Sequence, residues 1–202
     1  WAQEGHLKLE ELQGVGDGSP AEAALSARIG FDFNWQNMFG TDCGLRPGFE
    51  YKVIKEFPDG SKHEQGGDGV VYLSKPGAGS IPAHVDYLLK DRAAWEEQFK
   101  RRLQWSEERV NMAALEALKA SPGPRENPLG LHCGSLYGNI RSMLTMEGSC
   151  YLLADDEDLF TEIIDTVGDL CYRNVKLALE SGARFDFAHF WEDICYKNGP
   201  LI

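Results

Sequence analysis

Asp155-Asp156-Glu157-Asp158 opens the stretch that decides the fold, which runs through Leu179-Glu180-Ser181-Gly182 into Arg184-Phe185-Asp186-Phe187-Ala188-His189-Phe190. The acidic run suits a helix N-terminus, where the peptide dipoles favour negative charge. Phe160, Ile163, Ile164, Val167, Cys171, Val175 and Ala178 then recur at three- and four-residue steps. That spacing puts them on one face of a long helix, which must be buried. Gly182 stops the helix, and the apolar run 184–190 reads as a strand. Upstream, Leu129-Gly130-Leu131-His132-Cys133 is a second short apolar strand, and Leu136 to Met146 reads as helix. A strand, a long helix and a strand joined by short connections form a βαβ unit, hence a parallel sheet.

Working towards the N-terminus, Asp91 caps a helix from Arg92 to about Gln104, and Ser106 begins another that runs to Lys119. A breaker-rich loop follows at Pro122, Gly123, Pro124 and Pro128. Residues 77–90 read as a Gly/Pro linker carrying Ile81-Pro82-Ala83-His84. Residues 30–76 read as an antiparallel β meander. Phe31 to Trp35 alternates, Phe49 to Phe57 is strongly strand-like, Lys62 to Gln65 returns, and Val70 to Leu73 follows. Pro58-Asp59-Gly60-Ser61 and Gly66-Gly67-Asp68-Gly69 supply the turns. The polar alternation leaves one face of the meander wet. Residues 1–29 read as a helical leader, with Ser19 capping a helix that has Pro20 at its first position. Gly14-Val15-Gly16-Asp17-Gly18 follows no strand and lacks the dinucleotide spacing, so it reads as a loop.

The chain has 202 residues, enough for one domain, with 20 Lys+Arg against 32 Asp+Glu and a net charge of −12. That charge argues against a nucleic-acid partner, because phosphate neutralisation needs clustered cations. A small-molecule substrate is the expectation. No window approaches the ~18 apolar residues of a membrane span. Five cysteines occur without a Cys-x-x-Cys pair. That usage reads as thiols in a reducing compartment, with cytoplasm the expectation.

Several side chains are placed for chemistry. Glu192 and Asp193 follow directly on the last apolar strand, where paired carboxylates perturb each other's ionisation; the alternative is one helix cap and one solvated acid. His132-Cys133 ends the earlier strand. Adjacent strand residues point to opposite faces, so the two do not readily share a metal, and a packed, hydrogen-bonded His132 is the other reading. Arg141 is suited to clamp a carboxylate or to pair with Glu147 or an aspartate. Tyr137 either donates to a substrate or packs. His84 sits in a loop, where function concentrates. No metal ligand set is assigned.

The order of these segments resembles the uroporphyrinogen decarboxylase superfamily, which includes the tetrapyrrole decarboxylase and the corrinoid- or cobalamin-linked methyltransferases. The stretches that carry the resemblance are Asp155 to Ala183 and Phe185 to Asp193, then Tyr196-Lys197-Asn198-Gly199-Pro200-Leu201-Ile202. With them go Arg141-Ser142-Met143-Leu144-Thr145-Met146-Glu147-Gly148, Trp1-Ala2-Gln3-Glu4-Gly5 and Asp42-Cys43-Gly44-Leu45-Arg46. The resemblance implies an α/β fold of the (β/α)8 TIM-barrel type. Here it would be incomplete, a single partial barrel over 1–202, with 1–29 the leader, 30–76 the inserted meander and 77–202 the βα units. It also implies a longer natural chain at both ends. It places the acidic pair Glu192 and Asp193 at a strand end, as catalytic residues, and Arg141 towards substrate; Tyr137, His132 and His84 are expected substrate contacts from their own placement. It further implies zinc and a corrinoid partner protein for a full-length methyltransferase, and allows a homodimer. His132-Cys133-Gly134 does not match the methyltransferases' zinc-binding His-x-Cys, so that role is not carried over.

Three functions follow as expectations. The first is a corrinoid-linked methyltransferase-type enzyme, favoured by the β insertion and by the absence of a Tyr near Arg141–Ser142. The second is a uroporphyrinogen-type decarboxylase, a carboxy-lyase of tetrapyrrole biosynthesis. The third is a non-catalytic truncated barrel acting as a binding module.

Overall fold

A computed structural model describes residues 4–5, 8–16, 19–31, 37–78, 82–121, 123–192, 194–196 and 198–200. Helix α1 (Pro20–Ile29) opens on Ser19, whose hydroxyl accepts the Glu22 N–H at 3.0 Å, and closes on Gly30 in the left-handed region. The chain then contributes β1 (Met38–Phe39) and a run of four strands, β2 (Lys52–Glu56), β3 (Lys62–Gln65), β4 (Val70–Ser74) and β5 (Ala83–Tyr87). Helical segment α2 runs as α over Arg92–Ala94, π over Trp95–Phe99 and 3₁₀ over Lys100–Leu103. Helix α3 (Met112–Ala120) is capped by Asn111. Strand β6 (Gly130–His132), helices α4 (Tyr137–Asp155) and α5 (Glu157–Glu180), and strand β7 (Phe187–His189) complete the main body. A short hairpin, β8 (Cys195–Tyr196) and β9 (Gly199–Pro200), follows.

The βαβ reading holds. β1, β6 and β7 form a parallel sheet in that order, with Met38 opposite Gly130, and Gly130, Leu131 and His132 opposite Phe187, Ala188 and His189. The eight-stranded barrel does not. Among the described residues the parallel sheet has three strands, with β1 and β7 at its edges, so no closed cylinder forms. The linker expected at 77–90 also needs correction, since Ala83–Tyr87 pairs with β4 as a fourth meander strand. The alternating run expected over Phe31–Trp35 falls mostly on residues 32–36, outside the described residues. Met38–Phe39 belongs to the parallel sheet and not to the meander.

Helix α5 forms the centre of the molecule. The Asp156 side chain accepts the Leu159 N–H at 2.9 Å, a cap that contributes about 1 kcal/mol. Leu159, Phe160, Ile163, Val167, Leu170, Cys171 and Ala178 are buried, as the periodicity requires. One core cluster joins α2, α4 and α5 through Trp95, Phe99, Ile140, Leu144 and Ile163. The π turn in α2 brings both Trp95 and Phe99 into this core. Glu162 of α5 then receives the Trp95 indole N–H at 2.9 Å, Lys100 Nζ at 2.8 Å and Arg92 Nη1 at 2.9 Å. Lys100 above all, then Trp95, hold its carboxyl down at about 2. A second cluster packs Phe39, Leu131, Cys133, Leu115 and Ala178 between the parallel sheet and α3 and α5.

The meander docks on α4. A side chain at Gly148 would come within 2.6 Å of the Tyr87 ring, so the approach of β5 requires glycine there. Just before it α4 breaks at Thr145, whose φ of 62° and ψ of 171° lie in a region nearly reserved for glycine. Thr145 Oγ1 accepts the Gly148 N–H at 3.2 Å and restarts the helix.

Arg109 sets the loop after β1. It is 3% exposed. Its guanidinium donates to the carbonyls of Gln104 (2.9 Å), Asp42 (3.2 Å), Gly44 (2.8 Å) and Arg102 (2.6 Å). Arg109→Met keeps the stem but leaves those carbonyls without their donor. Removing one partner of a buried charged set costs about 3 kcal/mol or more. The thermal midpoint is therefore expected to fall by ~10 °C in a calorimetric scan. A shift within ~2 °C would show that water replaces the guanidinium.

Candidate functional site

The carboxyl ends of the three parallel strands bring chemistry to one edge of the sheet. Strand alternation assigns its faces. Leu131 and Cys133 point towards α3 and α5. Met38, Gly130, His132, Phe187 and His189 share the opposite face, which is half-buried. Gly130 has to be glycine, because a Cβ there would lie 2.4 Å from the Phe187 ring.

His132 and His189 are register partners at the end of that face. Their Nδ1 atoms lie 3.1 Å apart and their ring centroids 5.4 Å apart. One Nδ1 donates and the other accepts. Burial lowers the His132 pKa below the ordinary imidazole value, and the charge on His189 lowers it further. His132 therefore resists carrying a charge of its own beside His189. The Trp191 ring packs 5.9 Å from His189.

On the helix face of the same edge, Cys133, Ser135, Leu136, Cys171, Tyr172 and Phe190 line most of a 470 Å³ cavity, with Glu192 as its charged lining residue. Glu192 is exposed, and its carboxylate accepts the Leu136 N–H at the start of α4. A carboxylate there meets the positive end of the helix dipole. Ser135 Oγ is buried with no protein partner.

The sequence-read residues divide accordingly. His132 and Glu192 lie at the sheet edge, on its open face and at the α4 start respectively. Asp193 lies outside the described residues. Tyr137 is buried, and its hydroxyl is 3.0 Å from Ser149 Oγ across the α4 kink, a structural contact. Arg141 is half-buried on α4 and does not line the 470 Å³ cavity. His84 is exposed on β5, opposite Tyr72 in the meander, and so belongs to the other sheet. His189 was read only as strand sequence. The signal for it was available: two apolar runs ending Leu131-His132 and Ala188-His189 align when the strands pair in parallel. Among the described residues no three His, Cys, Asp or Glu side chains converge to hold a metal ion.

Compared with protein-family models, curated proteins and solved structures, the chain matches none. No helix of the described residues is long and apolar enough to cross a membrane.

The depressed His132 pKa makes stability depend on pH. The unfolded chain takes up a proton near pH 6.5, whereas folded His132 takes it up at lower pH. Acidification below about 6.5 therefore favours unfolding. The urea midpoint is expected to fall between pH 7.5 and 5.5, and His132→Gln to flatten part of that fall. An identical slope in the variant would contradict the assignment.

Proposed function

We propose that the chain is an enzyme of the uroporphyrinogen decarboxylase superfamily type. In this reading it transfers a methyl group from a small methylated donor to a corrinoid carried by a partner protein. The observation that carries this reading is the His132–His189 pair at the carboxyl ends of adjacent parallel strands. Ligands of parallel α/β sheets bind outside the carboxyl ends of the strands.

Transfer of a methyl group from a neutral ether or amine leaves its former heteroatom anionic, and that atom must be protonated. A singly protonated imidazole pair supplies that proton. The proton between the Nδ1 atoms leaves an N–H at each Nε2. Donation from one Nε2 to the leaving heteroatom returns the pair to neutrality. Trp191 backs His189, where an aromatic face favours the cationic ring. The corrinoid is the methyl acceptor and enters as a second substrate. The zinc that the resemblance allows has no ligand set among the described residues, and no step runs through it.

The decarboxylase reading asks for cations facing a polycarboxylate. No Lys or Arg lines the cavity on the helix face of this sheet edge, and Glu192 does, which disfavours a polycarboxylate there.

Methyl transfer to cob(I)alamin from methylated amines and methoxylated aromatics tests the proposal by the absorbance of the methylated product. Positioned proton transfer contributes roughly 10²–10⁴-fold, so His189→Gln is expected to lower kcat by about that factor with KM little changed. Absence of turnover with every donor, or an unaffected His189→Gln variant, would overturn it.

A further inference from the structure

Cys43 and Cys171 are far apart in sequence and meet beneath the sheet edge. Cys43 sits in the loop after β1 and Cys171 on the buried face of α5; both belong to one core cluster, and both sulfurs lie beside Gly134. Buried cysteines often serve only as small apolar fillers. The surroundings here are unlike a filler's. The Thr41 hydroxyl lies 3.5 Å from Cys43 Sγ, and Asn174 Nδ2 donates to the same sulfur at 3.5 Å. Asn174 is wholly buried on the otherwise apolar face of α5, and its amide also donates to the Asp42 carbonyl at 2.9 Å. Arg109, which fixes the loop through the Asp42 and Gly44 carbonyls, adds a favourable charge interaction with the Cys43 sulfur.

The backbone makes room for the two sulfurs. Gly134 has a φ of +95°, and a Cβ there would stand 2.5 Å from Cys171 Sγ and 3.5 Å from Cys43 Sγ. Each sulfur also borders open space. Cys43 lines a 310 Å³ cavity with Leu45, Asn139 and Met143, and Cys171 lines the 470 Å³ cavity.

We propose that Cys43 and Cys171 form an oxidation site, in which a small hydroperoxide converts the two thiols into a disulfide. Cys43 is the attacking sulfur. The Cys171 S–H above all, with Thr41 and Asn174, holds its pKa well below the ordinary thiol value, while the same contact pushes Cys171 up. The Cys43 thiolate attacks the distal peroxide oxygen. The S–O bond forms, the O–O bond breaks, and the departing alkoxide or hydroxide takes the Cys171 proton. Sulfur is oxidised by two electrons and the peroxide is reduced. The Cys171 thiolate then attacks Cys43 Sγ; the S–S bond forms, the S–O bond breaks, and hydroxide leaves and takes a proton from solvent. The sum is two thiols and one hydroperoxide giving one disulfide, one alcohol (water, for hydrogen peroxide) and one water. A low-pKa thiol beside a resolving cysteine is the arrangement that oxidises selectively. Cys43 is 8% and Cys171 5% exposed, which suits a peroxide and excludes a bulky peptide disulfide.

Cys150 and Cys195 are exposed and serve as internal controls. Cys133 donates to the Leu131 carbonyl and burial pushes its pKa up, so it is a spectator. The test treats the fully reduced chain with stoichiometric hydrogen peroxide, alkylates it under denaturing conditions and maps its peptides. A Cys43–Cys171 cross-linked peptide is expected as the first product, two hydrogens lighter than its parts, with Cys133 still alkylated. In Cys171→Ser, a sulfenic acid at Cys43 is expected to persist and be trapped by dimedone. Oxidation confined to Cys150 and Cys195, with Cys43 and Cys171 both alkylated, would overturn the proposal. The wild-type map decides the matter whether or not the variant folds.

Discussion

A single buried guanidinium organises the loops at one edge of the parallel sheet. Arg109 gathers the carbonyls of Asp42, Gly44, Arg102 and Gln104. In return its own carbonyl accepts the Asp42 N–H at 2.9 Å. Two of these carbonyls belong to the loop after β1 and two to the C-terminal end of α2, so one side chain ties both segments together. The guanidinium charge costs desolvation, which the four acceptors offset. Once the loop is fixed, Cys43 has a defined place against α5, and β1 is held in register beside β6.

The two faces of the sheet then acquire different chemistry from one alternation. On the helix side, Leu131, Cys133 and Phe39 are consumed by packing, and the Asn174 amide N–H donates to Cys43 and the Asp42 carbonyl. On the other side, Gly130 lets the Phe187 ring lie flat across the strand, and the two histidines come together beyond it. Glu192 ties the end of β7 to the start of α4, so the His189 strand and the helix after His132 are coupled through a carboxylate. That contact makes Glu192 first a positioning group, whereas its place beside Asp193 suggested a catalytic one.

Much of the frame was legible because it rests on local rules. The acidic start, apolar period and glycine stop of α5 all agree, and apolar strands on either side leave a parallel sheet as the natural outcome. Strand β5 was hidden: Ala83-His84-Val85-Asp86-Tyr87 alternates, but it is short and mostly exposed, and Pro76, Gly77 and Pro82 before it read as linker. The break at Thr145 has no proline or glycine at that position to announce it. Arg109 follows Glu107 and Glu108 and reads as one more solvated charge, while its value comes from carbonyls distant in sequence. The imidazole pair and the thiol pair depend on which segments meet, information that spacing along the chain does not hold. The barrel expectation rested on resemblance, and three strands do not close a cylinder.

The most direct test of the account is the titration of His132, followed by imidazole nitrogen chemical shifts in the intact chain. Its protonation is expected below the usual imidazole value, with its Nδ1 reporting the hydrogen bond to His189. Protonation of His132 at the ordinary value, with no hydrogen-bond shift at Nδ1, would contradict the pairing, and with it the proposal that chemistry takes place at this sheet edge.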